Sequence, residues 1–206
     1  MEERYDSGGV RGILHRPARA NGDGIILTHG AGSNANGPVL VRLAQAFEER
    51  GYHVLRYDLP FRQQRPGGSP SPSQAARDRA GVAEAAGAMR AIVSGRMIAG
   101  GHSYGGRQTA MAAAENPDLA GSLLLFSYPL HPPGKPQQLR TAFFPELRTP
   151  VLFIHGTRDP FGSIAELRTH IALIPARTDL LAIEGAAHDL KRAPDLAQEI
   201  VERMLF

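Results

Sequence analysis

The stretch Ile98-Ala99-Gly100-Gly101-His102-Ser103-Tyr104-Gly105-Gly106 sets a serine between glycines two residues to either side, directly after an apolar run and directly before a helical pattern. For Ser103 to act as a nucleophile, the chain must make a sharp strand-to-helix turn that projects the hydroxyl into solvent. Gly101 and Gly105 leave room for the neighbouring backbone, and the helix N-terminus adds a partial positive charge nearby. A serine hydroxyl is a poor nucleophile until a base takes its proton, and that base needs an acceptor on its other nitrogen. The competing reading of the same pattern is a glycine-rich turn carrying an idle serine.

Elbows of this kind draw their acid and then their histidine from later in the chain. Of the eight histidines, His131, His155, His170 and His188 follow the serine. His188, in Glu184-Gly185-Ala186-Ala187-His188-Asp189, lies just past the last apolar run, where a side chain reaches the C-terminal edge of a sheet; it is the expected general base. His155 ends a buried strand and reads as structural, His170 sits on a helix surface and His131 in a proline-rich loop. Asp159, in Phe153-Ile154-His155-Gly156-Thr157-Arg158-Asp159-Pro160, again follows a strand directly and is the expected orienting acid. Its rivals are Asp179 and Asp189, the latter handicapped because an acid adjacent to the histidine has trouble facing its imidazole. A turn-forming aspartate is the plain alternative for Asp159.

Thr28-His29-Gly30-Ala31-Gly32-Ser33-Asn34 leaves another strand as a loop of small residues whose backbone N–H groups can face a developing oxyanion; Ala31 and Tyr104 are the expected donors. Asn34 and Asn36 either contact substrate or, as loop asparagines commonly do, form turns.

Positioning these groups requires alternating strands and helices. Apolar runs predict strands at 10–15, 24–29, 53–58, 96–101, 121–127, 151–155 and 180–184. Several are solidly apolar, as strands buried on both faces must be. Helices are predicted at 38–50, ending at Gly51, and at 73–93, 104–115, 164–173 and 194–205. That alternation specifies an α/β fold with a mainly parallel sheet covered on both faces. The proline- and glycine-rich segment 60–72 reads as a surface loop rather than a linker, because too little chain precedes it for a separate core, and 129–150 reads as an irregular loop skirting the site. One domain over 1–206 is expected, without internal repeats.

The 206 residues are 42% hydrophobic and 21% charged with a net charge of +3, enough for a real core and only mildly basic. Arginines alternate with acids, as in Arg77-Asp78-Arg79, the pattern of a solvated helix face, so no nucleic-acid partner is expected. No cysteine is present, which removes disulfides and thiolate chemistry and fits a reducing, cytoplasmic setting. Without an apolar leader or a long apolar span the chain reads as soluble, unprocessed and without a membrane partner. Neither a HExxH spacing nor a dinucleotide fingerprint occurs, so no metal and no cofactor are expected.

Together, HGAG after one strand, GHSYGG after another, HGTRDPFG and then GAAHDL resemble the α/β-hydrolase superfamily across essentially the whole chain and in the family's order. More narrowly, GHSYGGR, FSYPLHPPGKP and the lack of a cap are similar to the small lidless group of dienelactone-hydrolase-like, testis-expressed and NSL-complex-subunit-like hydrolases. The resemblance implies triad roles for Ser103, Asp159 and His188 and an oxyanion hole at Ala31 and Tyr104. Dienelactone hydrolases proper use a cysteine nucleophile, so the label does not decide the substrate. The short segment between Tyr128 and Val151, where many relatives insert a cap, implies an open site. The expected activity is a carboxylesterase-type serine hydrolase acting on small or exposed esters or thioesters. A scaffold that keeps the fold without efficient catalysis is the alternative, and acyl transfer or perhydrolysis would use the same residues. Pocket walls are expected from 61–72, 128–144 and Phe161, and a homodimer is an option through a sheet edge or the apolar C-terminal IVERMLF.

Overall fold

In the computed structural model, which describes residues 1–191 and 196–204, the apolar runs become strands whose side chains alternate between two buried faces. The strands are β1 (Glu2–Ser7), β2 (Val10–His15), β3 (Gly24–Thr28), β4 (His53–Asp58), β5 (Met97–His102), β6 (Ser122–Phe126), β7 (Val151–Gly156) and β8 (Thr178–Ile183). They form one sheet in the order β1-β2-β4-β3-β5-β6-β7-β8. β1 and β2 are antiparallel to each other, β2 is antiparallel to β4, and the strands from β4 to β8 run parallel. The described helices are α1 (Pro38–Glu49), α2 (Pro60–Gln64), α3 (Ala75–Arg90), α4 (Tyr104–Glu115), α5 (Ile164–Ile171) and α6 (Leu196–Met204).

Strand periodicity of two divides the core. Ile26, Leu123, Leu125 and Phe153 join Val82, Met89, Ala110 and Leu167 on the face covered by α3, α4 and α5. Ile25, Leu27, Leu124, Phe126 and Ile154 meet Leu43, Phe47, Ile200 and Val201 on the face covered by α1 and α6. Both faces being buried is why these strands read as unbroken apolar runs rather than as alternation. Each fully buried Leu, Ile or Phe contributes about 1.5–3 kcal/mol.

After β3 the chain crosses through α1 to β4 on one side, and then returns to place β5 on the other side of β3. The carboxyl ends of β3 and β5 therefore flank a topological switch point, the position where an open α/β sheet leaves a crevice.

Two expectations need correction. β1 was not predicted: as a charged edge strand with only Tyr5 partly buried it has no apolar face to signal it, although the Gly8-Gly9 pair at φ 59° and 81° forms the hairpin turn that joins it to β2. Segment 60–72 is not simply a surface loop, since its first residues form α2 with Pro60, Phe61 and Arg62 buried. A proline fixes φ for a first helical turn as readily as for a loop. In the C-terminal segment, Ile200 and Val201 pack in the core; residues 192–195, 205 and 206, including both ends of the predicted 194–205 helix, lie outside the described residues.

Burial holds His15, His29, His53, His102 and His155 below the usual histidine range. The native chain keeps them neutral where the unfolded chain, with histidines near ~6.5, takes up protons. Their contribution to stability is complete above that value and is lost as pH falls below it toward the lowered native values. The thermal midpoint measured by scanning calorimetry is expected to fall between about pH 7 and pH 5; a flat midpoint over that range would show that these histidines are protonated in the native state.

Candidate active site

Ser103 stands between β5 and α4 at φ 51° and ψ −115°. Its N–H donates to the Phe126 carbonyl at 2.8 Å, and its own carbonyl accepts the first helical bond, from Arg107 N–H at 2.9 Å. The backbone thus reverses within one residue and leaves the hydroxyl at the tip. A Cβ on Gly105 would lie 2.4 Å from the His29 carbonyl oxygen, and one on Gly101 2.7 Å from the Gly105 backbone. The motif's glycines are therefore what allow α4 to start hard against the ends of β3 and β5.

Ser103 Oγ lies 2.8 Å from His188 Nε2, and His188 Nδ1 lies 2.8 Å from Asp159 Oδ2. A carboxylate oxygen only accepts, so Nδ1–H donates to Asp159 and Nε2 is left to accept the Ser103 hydroxyl proton. The Asp159 side chain is fully buried, whereas that of His188 is 22% exposed. Asp159 also serves the turn: its Oδ1 accepts Phe161 N–H at 2.9 Å, so one side chain both caps the turn and receives His188 Nδ1–H. Phe161 stacks its ring on the His188 imidazole at 4.2 Å and 30°. His102, partly buried and held below the usual range by desolvation, donates from Nε2 to the His188 carbonyl at 2.8 Å. Loop β7–α5 is tied to the His188 loop by Thr157 N–H to the Ile183 carbonyl (3.0 Å) and Arg158 N–H to the Ala186 carbonyl (2.9 Å).

The rival residues lie elsewhere. Asp179 pairs with Arg203 and Asp189 with Lys191. His170 Nδ1 donates to the Glu166 carbonyl and His131 to that of Pro132. His155 is buried in the sheet, as expected, and donates to the Gly162 carbonyl at 2.8 Å; it stands 3.7 Å from Asp159 Oδ2 and so backs the acid.

On the other side of Ser103, the Gly30 carbonyl accepts from His29 Nδ1 at 2.9 Å and from Ser33 N–H at 3.1 Å. Because the peptide is planar and trans, fixing that carbonyl turns the Ala31 N–H the opposite way. The Ala31 carbonyl is held in turn by Arg62 Nη2 at 2.7 Å. Tyr104 is the first residue of α4, and its N–H is one of those a helix leaves without an internal partner. Asn34 takes a turn role, its Oδ1 accepting Asn36 N–H at 2.8 Å, and the Asn36 Oδ1 accepts from Arg56.

Ser103, Ala31 and Tyr104 line a groove of about 500 Å³ with Ser69, Pro72, Pro129, Arg140 and Phe161. The expected walls thus contribute at 69–72, 129, 140 and 161, but Phe61 does not: it is 1% exposed and packs edge-on against the Tyr104 ring at 5.7 Å. Sequence reasoning missed Asp78. Assigned to a solvated face, it is wholly buried, its Oδ1 accepting Phe61 N–H at 3.0 Å and its Oδ2 the Tyr104 hydroxyl at 2.7 Å. The signal was its register, since Asp78 falls in line with Val82, Ala85 and Met89 on the inward stripe of α3. Asp78→Ala would leave two buried donors unpaired and is expected to cost about 2–4 kcal/mol in urea unfolding, against about 1 kcal/mol for Tyr104→Phe; equal and small losses would show that the carboxylate is not holding these groups.

Among solved structures, the chain is similar to dienelactone hydrolase from Anabaena variabilis (20% identity, TM-score 0.73, covering 98% of this chain and 95% of that one). It is also similar to Est1E from Butyrivibrio proteoclasticus (16%, 0.77, 99% and 97%) and to a serine hydrolase without a lid from Xanthomonas campestris (19%, 0.77, 99% and 94%). At these identities the likeness is one of fold. The family described as alpha/beta hydrolase domain matches residues 21–202. With the eight-stranded, uncapped sheet and that match over nearly its whole length, this chain belongs to the α/β-hydrolase family.

Proposed function

We propose that this chain is a serine hydrolase of carboxylesterase type, cleaving small or exposed esters or thioesters through an acyl-enzyme on Ser103. The observation that carries the proposal is the unbroken hydrogen-bonded line from Ser103 Oγ through His188 to the buried Asp159, with 2.8 Å at both links. In this reading Ser103 Oγ bonds to the carbonyl carbon while His188 Nε2 takes the hydroxyl proton. Asp159 keeps the imidazole oriented and stabilises its charged form. The carbonyl oxygen, now an oxyanion, is received by the backbone N–H groups of Ala31 and Tyr104. His188 then gives its proton to the leaving oxygen or sulfur as that bond breaks. A water molecule deprotonated by His188 attacks the acyl carbon, and the Ser103 oxygen leaves with the proton.

Substrate size follows from access. Between β6 and β7 the chain carries one short 3-10 turn, Phe144–Glu146, and no helical cap, so the groove stays open to solvent. An open groove suits small acyl groups or esters that project from a larger molecule. The absence of cysteine from the sequence supports the cytoplasm as the setting.

Hydrolysis of p-nitrophenyl butyrate is expected in the wild type, with kcat lower by about 10³-fold or more in Ser103→Ala and His188→Ala and by a smaller factor in Asp159→Asn. A fluorophosphonate probe should label the wild type and not Ser103→Ala. Folded wild-type protein that neither turns over the ester nor takes the label would overturn the proposal in favour of a scaffold.

A further inference from the structure

We propose that Arg107 and Arg140 form an anion-binding subsite in the Ser103 groove, and that the substrate is an ester carrying a carboxylate or phosphate within reach of it. The inference rests on the nucleophile reading of Ser103 given above and adds the chemical class of the substrate.

Arg107 is four residues beyond Ser103 at the start of α4. Residues at that spacing share a helix face, and helical side chains lean toward the N-terminus, so its stem runs toward the serine. Arg140 comes from the proline-rich segment, pinned by its own backbone: its N–H donates to the Leu130 carbonyl at 2.9 Å and its carbonyl accepts the buried Tyr128 hydroxyl at 2.6 Å. Both arginines line the groove with Ser103, and no aspartate or glutamate does.

Other arginines of this chain show what a satisfied guanidinium looks like here: Arg77 pairs with Glu84 and Arg96 with Asp23. Among the described residues, neither Arg107 nor Arg140 has a carboxylate partner. The Arg107 side chain meets the hydroxyl of Tyr128, a neutral partner, while its Nε is buried without a hydrogen-bond acceptor, and among the described residues the Arg140 side chain reaches the Pro129 carbonyl at 3.5 Å. The two cations feel each other: burial first and Arg107 second hold Arg140 below the usual arginine range. Two partly desolvated guanidinium groups of like charge are unfavourable alone and become favourable when an anion sits between them. Their planar forks match the paired oxygens of a carboxylate or phosphate.

The test compares kcat/KM for p-nitrophenyl hemiglutarate with that for the neutral p-nitrophenyl butyrate, and measures inhibition of butyrate hydrolysis by glutarate and by inorganic phosphate. The wild type is expected to favour the hemiglutarate ester by about tenfold or more and to be inhibited by at least one of the two anions. The anion that inhibits more strongly identifies the group preferred. Arg107→Gln and Arg140→Gln, each checked for an intact thermal transition, are expected to collapse the ratio toward one, and Arg107→Lys to retain part of it. A wild-type ratio near one with neither anion inhibiting, or a ratio that survives both glutamine variants, would overturn the subsite. If the wild type hydrolyses neither ester, the hydrolase reading has failed instead, and calorimetric binding of monomethyl glutarate to Ser103→Ala decides the subsite separately: binding lost on adding Arg107→Gln supports it, and no binding overturns it.

Discussion

A serine at φ 51° and ψ −115° sits outside the regions that side-chain-bearing residues prefer. Such a residue costs on the order of 1–3 kcal/mol and persists only where its surroundings over-determine it. Here the surroundings are the ends of three adjacent parallel strands. Ser103 N–H is claimed by the end of β6, its carbonyl by the first turn of α4, and Gly105 is wedged under the last carbonyl before the β3 loop. Nothing local would hold this turn. It depends on β3, β5 and β6 being neighbours in register, and through them on the two cores that clamp the sheet from both sides.

Around that turn the loops are tied by histidines rather than by ion pairs. His29 donates to Gly30 and accepts from Leu59 N–H, His102 donates to the His188 carbonyl, and His155 donates to the Gly162 carbonyl. His29 and His155 are buried and His102 is partly so, and desolvation holds each below the usual range, so each stays a neutral ring. A neutral imidazole can bridge two loops without the desolvation penalty of a buried charge. The His188 side chain, 22% exposed, is open to solvent and can exchange protons with an incoming water.

Much of the site was legible because its demands are local. The glycines of the elbow, the small residues after β3, and an aspartate and a histidine each placed just past a strand are constraints on consecutive residues, and consecutive residues are what a sequence displays. Asp78 was misread for the opposite reason. Its neighbours Arg77 and Arg79 are charged, and only the stripe shared with Val82 and Met89 marks it as inward-facing. Phe61 was misplaced because a residue after a proline opens either a loop or a helix, and the choice is made by the packing of α2 against α3.

By itself, the sequence determined the strand-helix alternation, the uncapped segment after β6 and the identities of Ser103, Asp159 and His188 as residues that could meet, since each follows from short-range pattern and order. The tertiary structure alone decided that they do meet, at 2.8 Å and 2.8 Å, because those distances are set by how three separate loops converge at one edge of the sheet. It alone also placed Asp78 under Tyr104, Arg62 on the Ala31 carbonyl and Arg107 in the same groove as Arg140. These pairings join residues 26 and more apart in the chain, or no bond at all but a shared cavity, and no periodicity in one dimension encodes which of many charged side chains will be desolvated together.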